Sequence, residues 1–503
     1  MRLISFLSAA LGGLAGAHAA GAGGQTVDAT AAASGDTCCA VLKVYFGDKL
    51  ADQGSATYNE SLATYWSAQE EHIYPKCVIR PTSVEDVSKA LQFIVPLSCK
   101  FAIRSGGQGA VPGVSNIKGG VTMDLRGLND VTLSSDNTTV EVGSGATWQA
   151  VYTQLETSCL TVSGARVGSV GVGGSTLGGG FGYWAAKAGF AADQVTAFQV
   201  VLASGDIVTA SATENASLYK ALKGGASNLG IVTRFTFKTF AIEDVWGGDI
   251  YYNRTTINAQ AQALYDFTSN PSYDTNAGYS LTYAWNPTTG TFITARLAYA
   301  EPVANPPVFQ AITAIPDQLQ NTTQITGVAA FSNQSILFSP VGYRQENWDL
   351  TFENNVVWYK SLFGLFQNSV SSLKGVENIT WTLTLEPIVP AIIVQSTANG
   401  DNVLGLDNTT LPGLALGVFS ATWWTPAKDT QVYSASDKFL QKVTEVAKKA
   451  KVLNPYIDVN HAGRKQNPIA SFGPSNVAFL KQVAKIVDPK GVFQKLLPGG
   501  FKL

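Results

Sequence analysis

The stretch Ser169–Gly182, SVGVGGSTLGGGFG, decides how the rest of the chain is read. Gly171, Gly173, Gly174, Gly178, Gly179, Gly180 and Gly182 fall within twelve positions. A backbone so bare of side chains can turn through positive φ and approach a ligand closely. Its amides can then line a concave nest for a pyrophosphate. Val170, Val172, Leu177 and Phe181 punctuate the run, and a flexible Gly/Ser linker lacks such apolar anchors. Upstream, FAIRSGGQGAVPG (101–113) supplies a second nest from Ser105, Gly106, Gly107, Gln108 and Gly109, with the cation Arg104 beside it. Two nests in one region predict a dinucleotide lying across both. The chain has no GxxxxGK[ST] phosphate loop, and the glycines do not follow a strand as a GxGxxG motif would.

Around these loops the pattern alternates short strands with helices. Thr82-Ser83-Val84-Glu85 reads as a capping box, followed by Val84, Val87, Ala90, Leu91 and Ile94 at helical spacing. Thr147 opens another helix, with Trp148, Val151 and Leu155 on one side. Val121–Leu125 and Thr139–Val142 read as strands, so residues 40–242 form an α+β domain. From 243 to 454 the character changes. Tyr279–Trp285, Thr291–Ala298, Asn378–Glu386 and Leu414–Trp424 are strand-like and rich in Thr, Val and aromatics. Helical stretches near 256–269 and 434–450 separate some of them, which predicts a largely antiparallel sheet covered by helices.

The first twenty residues have the form of a secretory signal, with Arg2, an apolar core from Leu3 to Ala15 and an Ala17-His18-Ala19 cleavage site. Residues 21–37 read as a disordered arm. Asn59, Asn137, Asn215, Asn253, Asn321, Asn333, Asn378 and Asn408 each begin an N-x-S/T glycosylation triplet, in keeping with export. Five cysteines leave one unpaired in an oxidising compartment. Charged residues are only 14% of the chain and the net charge is −2, which offers nothing to nucleic acid or an anionic membrane. Beyond the signal, His72 and His461 are the whole histidine supply, so a metal site is not expected.

RPTSVEDV (80–87), FAIRSGGQ (101–108), GVTMDLRGLNDV (120–131), the glycine run and ALKGGASNLGIVTRFTFKTF (221–240) resemble the FAD-binding domain of the vanillyl-alcohol oxidase, or p-cresol methylhydroxylase, superfamily. NPYIDVNHAGRKQNPIASFG (454–473) and DPKGVFQKLLPGGFKL (488–503) resemble the closing segment of berberine-bridge-enzyme-like oxidases, fungal ones in particular. The resemblance implies a two-part p-cresol-methylhydroxylase-type FAD domain, completed by a return of residues 455–503, and a substrate domain roofing the flavin. It implies FAD contacts from Ser169, Val170, Gly230, Ile231, Val232 and Asn460 as well as from the glycine loops. It also suggests a disulfide from the Cys38/Cys39 pair to Cys99. Relatives tether FAD through a histidine and, in some, a cysteine. Here Gln108 and Val167 stand at those positions, so non-covalent FAD is expected.

In the closing motif His461 replaces a tyrosine of the relatives, and a histidine can exchange a proton near neutrality. Thr380, Thr382, Thr384 and Glu386 alternate with Ile379, Trp381, Leu383 and Leu385. Glu386 is a candidate base if the Thr face looks into the site, or a solvated strand end before Pro387 if it does not. The expected function is a secreted FAD-dependent oxidase of a small organic metabolite, passing a hydride to FAD and its electrons to dioxygen. A non-redox isomerase or cyclase on the same scaffold, and a carbohydrate oxidase, are the alternatives.

Overall fold

A computed structural model describes residues Ala33–Leu503, apart from Phe338 and Asn408. The signal, the start of the arm and the Asn408 triplet lie outside the described residues. Of the arm expected to be disordered over 21–37, residues 35–37 are helical. Ser34 caps a helix, Gly35–Phe46, by accepting from the Thr37 amide at 3.2 Å. Two neighbouring cysteines on that helix hold it down, Cys38 to Cys99 and Cys39 to Cys77. Each cross-link restricts the unfolded chain. Cys159 is left free and exposed.

Strands Leu50–Asp52, Cys77–Ile79, Val121–Asp124 and Phe101–Arg104 lie in that spatial order in one sheet, the last three parallel. The helix Val84–Ile94 buries Val87, Ala90, Leu91 and Ile94. Its cap is one residue later than the sequence suggested. Ser83 accepts from the Asp86 amide, and Asp86 accepts in return from Thr82 at 2.9 Å. A second, antiparallel sheet runs Val131–Leu133, Thr139–Gly143, Ile231–Lys238, Val195–Val201, Ile207–Ser211. Thr147 caps the helix Trp148–Glu156, whose Trp148 is fully buried. The closing segment packs with the first sheet. The Phe101 amide donates to the Leu496 carbonyl at 2.9 Å, and Val492, Phe493 and Leu497 share a core with Cys38, Ile79 and Phe101.

Among the described residues, nine strands form an antiparallel roof sheet. Its central run is Val245–Asn253, Gly290–Tyr299, Ala277–Asn286, Thr380–Ile388, Leu414–Trp423 and Arg344–Glu353. Strand periodicity gives this sheet two faces. Trp348, Leu350, Trp381, Leu383, Leu385 and Phe419 face the helices Ile257–Ser269, Val356–Ser369 and Asp429–Ala450. Leu416, Val418 and Ile388 point the other way and share a core with Trp148, Val172 and Tyr456 of the cofactor side. The fold is thus the α+β arrangement expected, with the polar members of the second face left over the glycine loops.

Candidate active site

The strand Phe101–Arg104 delivers Ser105–Gly109 onto the second loop. The contact is backbone on backbone. A Cβ at Gly106 would lie 2.5 Å from the Gly171 nitrogen, so side chains at either position would force the loops apart. Ser105 Oγ donates to the Ser144 carbonyl at 2.6 Å, and the Gly173 amide donates to that same carbonyl at 3.2 Å. Ser144 in turn donates its amide to Thr233, which ties in the strand that begins with Ile231 and Val232. Gly230 precedes that strand, and Ile231 and Val232 pair with Val201 and Val200.

Ser169 and Val170 lead into the short helix Val172–Leu177, which contains Gly173 and Gly174. Leu177 packs against the core cluster below. Gly179 and Gly180 adopt φ of 109° and 80°, a left-handed turn that β-carbons disfavour. Gly182 sits against the Gly164 carbonyl. Asn460 joins the closing segment to this helix, its Nδ2 donating to the Ser175 carbonyl at 3.0 Å.

Two of the expected contacts have other work. Arg104 is fully buried, its guanidinium packed beneath Gly107. It donates to the Ser61 carbonyl and Thr64 Oγ1 and lies 3.8 Å from the Tyr65 ring centre, so it supports the loop from beneath and lends no exposed cation. Gln108 reaches across to the second loop, its Nε2 donating to the Ser169 carbonyl at 3.2 Å.

The cradle suits a dinucleotide. Among the described residues, the successive amides of Ser105, Gly106, Gly107, Gln108 and Gly109 have no acceptor. Gly174 is exposed, with nothing within 4 Å of where a Cβ would stand. Ser144 Oγ, Ser163 Oγ and Thr176 Oγ1 are buried without partners. Unpaired amides and the buried, unpaired hydroxyl of Ser144, whose carbonyl joins both loops, fit a polar ligand.

Facing this cradle, the roof presents Thr282 and Thr384, joined at 2.9 Å, with Glu386 two residues on. Glu386 is 3% exposed, and its strand continues to Ile388, so the solvated-end alternative falls away. Its Oε1 pairs with Arg166, whose guanidinium lies near the Phe181 and Tyr183 rings. Its Oε2 is buried and unpartnered.

His461 follows directly on Asn460. Its Nδ1 meets Asp458 Oδ2 at 2.5 Å, and its side chain is 27% exposed. Burial alone would lower the imidazole pKa, but the hydrogen bond and charge of Asp458 outweigh it and the net shift is upward. Behind Asp458 stands Asp349, fully buried, with Oδ1 accepting from the Asp458 amide at 2.8 Å. Burial, then the neighbouring Asp458, raise the pKa of this carboxyl well above its usual range. His72 is an exposed residue at a helix end, with Nδ1 2.6 Å from the Ala68 carbonyl.

Arg166, Asp349 and Asp458 were not found from sequence. Asp458 stands three positions before His461, a spacing that could have flagged it. Asp349 alternates with Trp348 and Leu350 and so had to lie on the polar face. Arg166 carries no local signal, because its partner is in another domain.

The chain matches the FAD binding domain family model over residues 75–211. It is 35% identical over 479 residues to the FAD-dependent monooxygenase sdcF of Emericella nidulans, covering 93% of this chain and 98% of that protein. The fold matches xylooligosaccharide oxidase from Myceliophthora thermophila with a TM-score of 0.77 at 20% identity, over 94% of this chain and 100% of the other. Glucooligosaccharide oxidase from Acremonium strictum, with its 6-S-cysteinyl, 8α-N1-histidyl FAD, matches with a TM-score of 0.76 at 19% identity, over 92% and 98% of the two chains.

Proposed function

The chain belongs to the FAD-linked oxidoreductases of the vanillyl-alcohol oxidase and p-cresol methylhydroxylase superfamily, berberine-bridge-enzyme-like, and on that footing we propose that it oxidises a small, uncharged organic metabolite in fungal specialised metabolism. The observation that carries this reading is the free Oε2 of Glu386, set over the cradle beside His461. When bound, FAD supplies the hydride acceptor.

The protein's part is proton handling. The Asp458 contact assigns the Nδ1 proton of His461 and leaves Nε2 to exchange a proton with the substrate. Arg166 holds one oxygen of Glu386 and leaves the other to accept a proton as a C–H or N–H bond breaks. Thr282, Thr384 and Ser420 add hydroxyls to the roof face that carries Glu386, which suits a substrate with hydrogen-bonding groups. Dioxygen as final acceptor agrees with the names oxidase and monooxygenase borne by the relatives.

FAD is held without a covalent bond, because Gln108 is engaged with Ser169 and Val167 has no thiol. Secretion and glycosylation are supported by two disulfides and by exposure of all seven described sequon asparagines.

Two measurements test this reading. Acid precipitation should leave the flavin in the supernatant, and flavin retained in the washed pellet would defeat the non-covalent assignment. Substrates drawn from a panel of neutral metabolites and oligosaccharides should bleach the flavin anaerobically and consume oxygen in air. Product formed anaerobically with an unchanged flavin spectrum would replace the oxidase by an isomerase.

A further inference from the structure

We propose that Arg166 is a positioning residue that couples occupancy of the cofactor cradle to the placement of Glu386, so that the base is assembled only when the cofactor loop is ordered. The inference rests on the reading of Glu386 given above. Arg166 lies on the cofactor side, three residues before Ser169, and Ser169 is the residue clasped by Gln108. The same loop is fastened at Gly168, whose amide donates to the Ser332 carbonyl at 3.4 Å. Glu386 lies on the roof, in the strand Thr380–Ile388. Their ion pair therefore crosses from the cradle to the roof.

Neither partner has a substitute. Among the described residues, Arg166 pairs with no other carboxylate and Glu386 with no other cation. Both side chains are largely buried, at 17% and 4% exposed. A buried charge stripped of its partner is strongly unfavourable, so the loop and the carboxylate keep their places together or lose them together. The loop also carries Ser169 and leads into Gly171, which touches Gly106. Whatever orders the cradle must then favour the paired state, and by linkage the paired state must favour the ligand to the same extent.

The experiment is FAD binding by the apoprotein, followed by flavin fluorescence, in wild type, R166M, E386Q and the double variant. Glu386 touches no glycine of the cradle, yet E386Q should weaken FAD by a factor within roughly 5–150, the usual span of coupling between sites. R166M should lose a similar factor, the double variant no more than the larger single loss, and R166K should recover part of it. Hydrogen exchange at amides 166–171 in the same samples gives a second readout. FAD should protect them in wild type and protect them less in E386Q.

An FAD affinity for E386Q within about twofold of wild type overturns the coupling. So does a double variant whose loss is the product of the two single losses, or equal protection in E386Q and wild type. Wild-type protein that takes up no FAD overturns the proposed function and the coupling together. Binding by wild type with no effect of E386Q overturns the coupling alone.

Discussion

The cradle and the roof solve opposite problems. The cradle is made of backbone. Its specificity lies in what is missing, the β-carbons of Gly106 and Gly171 and the acceptors of five amides, and it comes from two short continuous segments. The roof is made of side chains. Glu386 and Asp349 of the sheet meet Asp458 and His461 of the closing segment. Only the Asp458–His461 contact lies within one stretch; the links of Glu386 to Arg166 and of Asp458 to Asp349 join distant ones. Cofactor binding can thus be lost by adding a methyl group in one place, whereas catalysis can be lost only by removing a particular functional group.

That contrast can be broken most sharply at Gly171. Gly171→Val sets a branched side chain against the Gly106 backbone, and purified protein should carry no flavin by absorbance while keeping its far-UV circular dichroism. Normal flavin content would mean that the loops part without cost. His461→Ala probes the opposite pole. Turnover should fall on the order of a hundredfold with flavin content unchanged, measured by oxygen uptake. A turnover equal to wild type would reduce His461 to packing.

Asp458→Asn has a smaller effect with a sign that can be checked. The carboxylate raises the imidazole pKa, so its loss leaves burial to lower it. The activity limb that titrates with His461 should move to lower pH, with turnover at neutrality down about tenfold. Stability follows the same group. The pairing stabilises the folded protein fully below ~6.5, the ordinary histidine value, and that increment disappears as pH rises through the raised folded value. Thermal unfolding against pH should show this slope in wild type and not in the Asn variant. Gln108→Ala is the mildest. It removes one loop-to-loop hydrogen bond, worth ~1 kcal/mol, and FAD should bind about fivefold more weakly by fluorescence titration.

The same division explains what the sequence disclosed. Glycine spacing, the caps at Ser83 and Thr147 and the alternation about Glu386 are local, and local rules found them or missed by one residue. The end of the arm was misplaced because helix Gly35–Phe46 is fixed by disulfides to Cys77 and Cys99, partners no local window contains. Arg104 was assigned to the nest because its neighbours are there, while its side chain is drawn down by Ser61, Thr64 and Tyr65 from an earlier helix and the turn after it. The Arg166–Glu386 pair was invisible for the same reason. Proximity in the fold, not residue type, gives those groups their roles.

The bond from Phe101 to Leu496 sets a timetable for synthesis. About 395 residues separate these two neighbours. At a ribosomal pace of roughly 5–20 residues per second, the core that contains Phe101, Ile79 and Cys38 waits about 20–80 s for Val492, Phe493 and Leu497 to arrive. The glycine loop hung from strand Phe101–Arg104 stands through that interval on an open core. The two disulfides, whose four cysteines have all been synthesised by residue 99, are the covalent means by which the nascent chain can hold that region in register. A chain stopped before Val492 would carry every residue of the cradle and still expose the apolar surface beneath it, making it a substrate for chaperones and proteases in place of FAD.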